Sequence, residues 1–182
     1  MMDKKDLKIT LYCSGLFIVL SIWLIVCAAE LSAFTILKTA LLIILSYTAM
    51  LFDIHTKRIP NTLVLIMIVG WLVLIIPVLL SDVSIGIGLL IDSVYGVLIG
   101  GGLFLLVYIL SKKGLGGGDV KYMAVVGLYL GFLKTTHAIL FGTVIAALTG
   151  LILISLKKIG RKDTMPLAPF LFIGIMITVF LS

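Results

Sequence analysis

Seven apolar runs, separated by short polar joints, leave this chain little choice of solvent. They cover residues 10–29, 34–52, 62–80, 85–110, 119–132, 136–156 and 167–181. Most approach or exceed the ~20 apolar residues that carry a helix across a bilayer. With 62% of its 182 residues hydrophobic and only 12% charged, no soluble fold could hide that surface. Backbone groups in hydrocarbon must pair within their own segment, so these runs are predicted to be helices. A membrane barrel would need strands that alternate apolar and polar residues, and these runs are continuous. The expected fold class is all-α: a polytopic membrane helix bundle of about seven transmembrane helices, forming one integral domain over residues 1–182. The fifth run is short and barely spans, so it is expected to tilt, to be shielded, or to begin inside the protein. The first lacks a small-x-small cleavage site and is read as a retained helix rather than a signal peptide.

The joints carry the charge. A net +6 could suggest nucleic acid, but the basic residues are scattered in the joints, where they set orientation instead. With the N-terminus inside, twelve lysines and arginines fall on the cytoplasmic side, and only Lys38 and Lys134 fall outside. The reverse topology inverts that ratio. Merging the fifth and sixth runs would move the basic joint at 157–162 to the outside, so the count supports seven crossings. Cys13 and Cys27 are 14 positions apart in one run, roughly 21 Å along a helix, too far for a disulfide between them. With no C-x-x-C pair, zinc and redox chemistry find no support, and no cofactor is expected.

Two carboxylates stand out against this background. Asp119 follows Gly116, Gly117 and Gly118 and opens the fifth run; Asp53 closes the second. The orientation puts both at the same depth on the cytoplasmic side. The structural reading of Asp119 is a helix N-cap behind a permissive glycine run. Asp53 sits where a helix C-terminus disfavours negative charge, with Lys57 at i+4 as a possible ion-pair partner. Pro60 suits the first turn of the next helix and biases Ile59 toward an extended conformation. If the two carboxylates meet, they cannot both ionise easily and would share a proton. Such a pair can take a proton from water and give one to a carbonyl, without a metal. The helix ends would make Asp119 the initial base and Asp53 the initial acid.

Other polar residues carry less. His55 lacks a second metal ligand at suitable spacing, and His137 maps to the opposite side. Asp82 and Asp92 read as interfacial residues of the outer side, with burial as the alternative for Asp92, and Glu30 falls in the outer loop. Lys121 is expected to snorkel to the surface or to orient substrate. Gly96-x-x-x-Gly100 and Gly127-x-x-x-Gly131 fit close helix packing, as does the run Gly100 to Gly102.

At these residues the chain resembles a known family. Gly116-Gly117-Gly118-Asp119 is similar to the G-x-G-D motif of intramembrane aspartyl proteases, and Asp119-Val120-Lys121 continues it as in the prepilin peptidases, or type IV leader peptidases. Asp53 followed by Lys57-Arg58-Ile59-Pro60-Asn61 resembles the family's other aspartate and its I-P-N loop. Met165-Pro166-Leu167-Ala168-Pro169-Phe170 resembles the entrance to its last helix. The presenilin-like proteases share G-x-G-D, but the I-P-N loop favours the prepilin branch. The resemblance runs over residues 34–181. It implies a six-helix peptidase core at 34–182 and an extra helix region at 1–33. It also implies a catalytic dyad of Asp53 and Asp119, shaped by Gly116, Gly117, Gly118, Pro60 and Asn61. The implied substrates are type IV pilin-like or preflagellin-like precursors, cut between a short basic leader and an apolar helix at the cytoplasmic face of a prokaryotic cell membrane. The chain departs from many bacterial members in lacking paired cysteines and a recognisable S-adenosylmethionine loop, so peptidase activity without methyl transfer is expected. The competing readings are a small proton-coupled transporter and a noncatalytic scaffold. Against the transporter, both carboxylates lie near one surface and no inverted repeat is evident. Oligomeric state is left open.

Overall fold

The computed structural model describes residues 32–111, 115–158 and 165–181, together with Gly15, Ile18 and Gly160. The predicted first helix and its two cysteines lie outside the described residues, apart from Gly15 and Ile18, which are helical. The other runs form α1 (Ala33–Thr56), α2 (Asn61–Ser81), α3 (Val83–Leu110), α4 (Gly117–Ser155) and α5 (Ala168–Phe180). The first four are long and apolar enough to cross a membrane, and α5 is a shorter apolar helix. No strand occurs among the described residues. This is an all-helical, multi-pass membrane protein. Asp82, expected only at an interface, caps α3: its Oδ1 accepts the Ile85 N–H at 3.1 Å.

The fifth and sixth runs are joined differently from the expectation. No loop separates them, and α4 is continuous for 39 residues except at Gly131, whose φ of 73° and ψ of −174° are not helical. A straight helix of that length would measure about 58 Å, nearly twice the hydrocarbon thickness of about 30 Å. Instead the helix folds back. A Cβ built on Gly100 would lie 3.0 Å from the Met123 carbonyl carbon and 3.3 Å from Thr135 Cγ2. In a straight helix those two residues would stand about 18 Å apart. The limbs 117–130 and 132–155 are therefore antiparallel, with the corner at Gly131. Asp92 holds that corner: its Oδ1 accepts the Phe132 N–H at 3.0 Å, which caps the second limb from 40 positions away. Thr135, expected in a joint, is fully buried in this limb.

The corner needs glycine on two counts. Its φ and ψ belong to a region essentially closed to other residues, and a Cβ there would collide with the Asp92 carboxylate. Gly131→Ala is expected to destabilise the protein by at least about 2 kcal/mol, read as a lowered thermal midpoint in detergent.

Small residues set the packing between helices. A Cβ on Gly96 would strike the Gly127 carbonyl, and one on Gly127 the Gly96 carbonyl, so α3 and the first limb of α4 touch backbone to backbone. Ser93 Oγ adds a 2.8 Å bond to the Leu128 carbonyl. Gly100 and Gly101 belong to this packed face; Gly102 faces open space. On the other side Tyr129 Oη donates to the Met67 carbonyl of α2 at 2.6 Å. Helix α5 packs on the second limb through Gly174, which faces Ala138 and Gly142. The core between these elements holds Leu42 and Ile43 of α1, Met67 and Ile75 of α2, Tyr122 and Val126 of α4, and Leu171 and Ile175 of α5. This arrangement gathers the C-terminus of α1 and the N-termini of α2, α4 and α5 at one end.

Candidate active site

The end of α1 is built to stop. Lys57 takes a left-handed conformation, φ 52°, and its N–H bonds the Asp53 carbonyl at 2.8 Å. Thr56 Oγ1 is shared between the carbonyls of Phe52 (2.8 Å) and Arg58 (3.0 Å), which turns the chain sharply. His55 is in the last helical turn rather than in a loop, and its Nδ1 lies 2.8 Å from the Leu51 carbonyl. Ile59 is buried and anchors the turn. Pro60 is the N-cap of α2, one residue earlier than the first-turn position expected of it, and Asn61 opens the helix.

Asp53 is 5% exposed, so its carboxylate must find donors within the protein. Its Oδ2 accepts the Ala168 N–H at 2.9 Å, across 115 positions. Ala168 is the first residue of α5, so Asp53 satisfies one of the backbone donors that every helix start leaves open. This also amends the expectation that Asp53 faces only the unfavourable end of its own helix. The positive end of α5 faces it too, which removes the asymmetry on which the base and acid assignments rested.

Asp119 is not the N-cap. Gly116 holds that position, and Asp119 is the third helical residue of α4. Its side chain curls back over the cap, as the third residue does in a capping box. A Cβ on Gly116 would lie 2.8 Å from Asp119 Oδ2. The three glycines therefore differ in role. Gly116 makes room for the carboxylate. Gly118 lies against Ile59, where an added Cβ would make ordinary contact at 3.4 Å. An added Cβ on Gly117 would meet nothing within 4 Å.

Asp53 and Asp119 line one cavity of about 360 Å³, with Gly116, Gly117, Gly118 and Asn61. The sequence-predicted residues are thus brought together, except Pro60 and Lys121, which do not line it. Lys121 instead donates from Nζ to Asn61 Oδ1 at 3.0 Å and ties the start of α2 to the start of α4. Lys57, Arg58 and Ile59 also line the cavity; sequence reasoning read them as part of a loop motif and not as a wall. Ala168 was missed as a functional contact, because a backbone donor leaves no mark in the side-chain pattern. Among the described residues, no three His, Cys, Asp or Glu side chains group as a metal site would require.

Comparison with known proteins agrees with the family resemblance. The family model for the type IV leader peptidase family matches residues 39–151. The chain is 33% identical over 139 residues to a prepilin leader peptidase/N-methyltransferase of Bacillus subtilis (strain 168), a match that covers 74% of this chain and 50% of the relative. The chain thus spans about half the length of that curated relative. No solved structure matches it. With the family match extending over more than half of its residues, the chain belongs to the type IV leader peptidase family.

Proposed function

We propose that this protein is an aspartyl endopeptidase that removes the leader from pilin-like precursors at the cytoplasmic boundary of the membrane, with Asp53 and Asp119 as the catalytic pair. The observation that carries this reading is that both carboxylates line one cavity at the junction of four helix ends. In the reaction, the ionised carboxylate takes a proton from water as its oxygen attacks the scissile carbonyl carbon. The protonated partner gives its proton to the carbonyl oxygen. Collapse of the tetrahedral intermediate breaks the C–N bond, and the amine leaves with a proton returned from the pair. The basic joints beside the cavity, Lys57 and Arg58 among them, support a cytoplasmic location under the positive-inside rule. The proposal covers peptide cleavage alone; methyl transfer, part of the relative's name, is not included.

The test uses purified protein in detergent with a pilin-like precursor. Leader removal is expected as a mobility shift on a gel, unaffected by chelator. A precursor left intact under conditions where the protein stays folded would rule the reading out. The glycines give a graded check. Gly116→Ala must displace the Asp119 carboxylate and is expected to lower cleavage about tenfold or more. Gly117→Ala is expected to keep or raise stability, by up to about 1 kcal/mol, because alanine favours helix and its Cβ meets nothing.

A further inference from the structure

The contact between Lys121 and Asn61 fixes something that an asparagine usually leaves open. A lysine ammonium has three donors and no acceptor, so the Asn61 atom 3.0 Å from Lys121 Nζ must be the oxygen. The amide nitrogen then points the other way. Among the described residues nothing accepts from Asn61 Nδ2.

That side chain lines the cavity containing Asp53 and Asp119. It stands on the first residue of α2, so its backbone is held by a helix rather than by a loop. The lysine comes from α4, two residues past Asp119, and fixes the amide relative to that carboxylate. An ammonium bonded to the carbonyl oxygen also draws electron density from the amide and strengthens the opposite N–H as a donor. Peptide hydrolysis needs such a donor, because negative charge grows on the carbonyl oxygen in the transition state. The protonated carboxylate meets that charge on one lone pair of the oxygen, and the second lone pair is open to a further donor. Lys57 and Arg58 also line the cavity, but on long flexible stems.

Taking the proposed peptidase reaction as given, we infer that Asn61 Nδ2 donates to the carbonyl oxygen of the substrate peptide as charge develops, and that Lys121 is the positioning residue that orients the amide. Asn61 is then a catalytic residue of this cavity, and Lys121 acts only through it.

The test measures kcat and KM for precursor cleavage in detergent. Asn61→Asp keeps an oxygen for Lys121 and replaces the donor with an acceptor. Its kcat is expected to fall about 10²- to 10³-fold, with KM changed by no more than about threefold. Asn61→Ala removes the donor without adding charge and is read the same way if Asn61→Asp does not fold. Wild-type kcat in either folded variant overturns the inference. Lys121→Met is expected to cost about tenfold in kcat in the wild-type background and nothing further in Asn61→Ala. An equal loss in both backgrounds overturns the positioning role. Turnover by the wild-type protein separates the two levels: if the wild type cleaves and the Asn61 variants match it, this inference alone fails, whereas absence of any cleavage removes the peptidase reading and this inference with it.

Discussion

Asp119→Asn and Asp53→Asn are each expected to lower precursor cleavage by at least about 10³-fold, because removing either carboxylate removes the proton acceptor or the proton donor of the pair. Stability should not follow activity. The amide introduced by Asp53→Asn would retain an oxygen to accept the buried Ala168 N–H, so α5 stays capped and the thermal midpoint stays near that of the wild type. Asp53→Leu separates the two roles. It is expected to be just as inactive, and in addition to lose about 1–3 kcal/mol, since it leaves the Ala168 N–H buried without a partner. The checks are a gel assay for cleavage and a thermal melt of each variant in the same detergent. Full cleavage by either asparagine variant would remove the pair from the chemistry.

Gly96→Leu is expected to prevent folding altogether. Even the first added carbon would strike the Gly127 carbonyl, and a leucine brings three more. The helices α3 and α4 would have to separate, breaking the Ser93 bond to Leu128 and the Asp92 bond to Phe132 on the same face. Overpacking of even a methylene or two costs about 1–3 kcal/mol where neighbours can give; two backbones in contact have nothing to give. Gly102→Leu, on the same helix but facing open space, is the control and is expected to keep or raise stability, by up to about 1 kcal/mol. Recovery of a single size-exclusion peak with wild-type helicity for Gly102→Leu, and its loss for Gly96→Leu, is the expected pair of results.

The features legible in the sequence are those written locally. Continuous apolar runs located α1, α2, α3 and α5 to within a few residues, because a bilayer demands a helix of a given length from each. The two carboxylates were visible as charges that an apolar chain does not keep without a reason. Less visible were the contacts made across long separations. The corner was expected as a short joint at 133–135, with Gly131 inside the fifth run, because the residue that caps Phe132 is Asp92, 40 positions earlier. Asp53 was judged by its own helix alone, because the N-terminus that faces it arrives 115 positions later and contributes a backbone N–H. The glycines before Asp119 read as equivalent in the sequence. Only the placement of neighbouring atoms separates Gly116, which Asp119 crowds, from Gly117, which nothing approaches.

The corner at Gly131 bears on how the sidedness of this protein could be mapped. Two limbs of α4 meet there without an intervening loop, so the end opposite the aspartates offers no extended segment between residues 117 and 155. A protease has no strand to bind at that point, and an inserted tag or reporter would have to force open a turn that only glycine accommodates. A mapping experiment that relied on accessible loops would therefore record one long helix where the chain doubles back on itself, and its count of helical segments would be one too few.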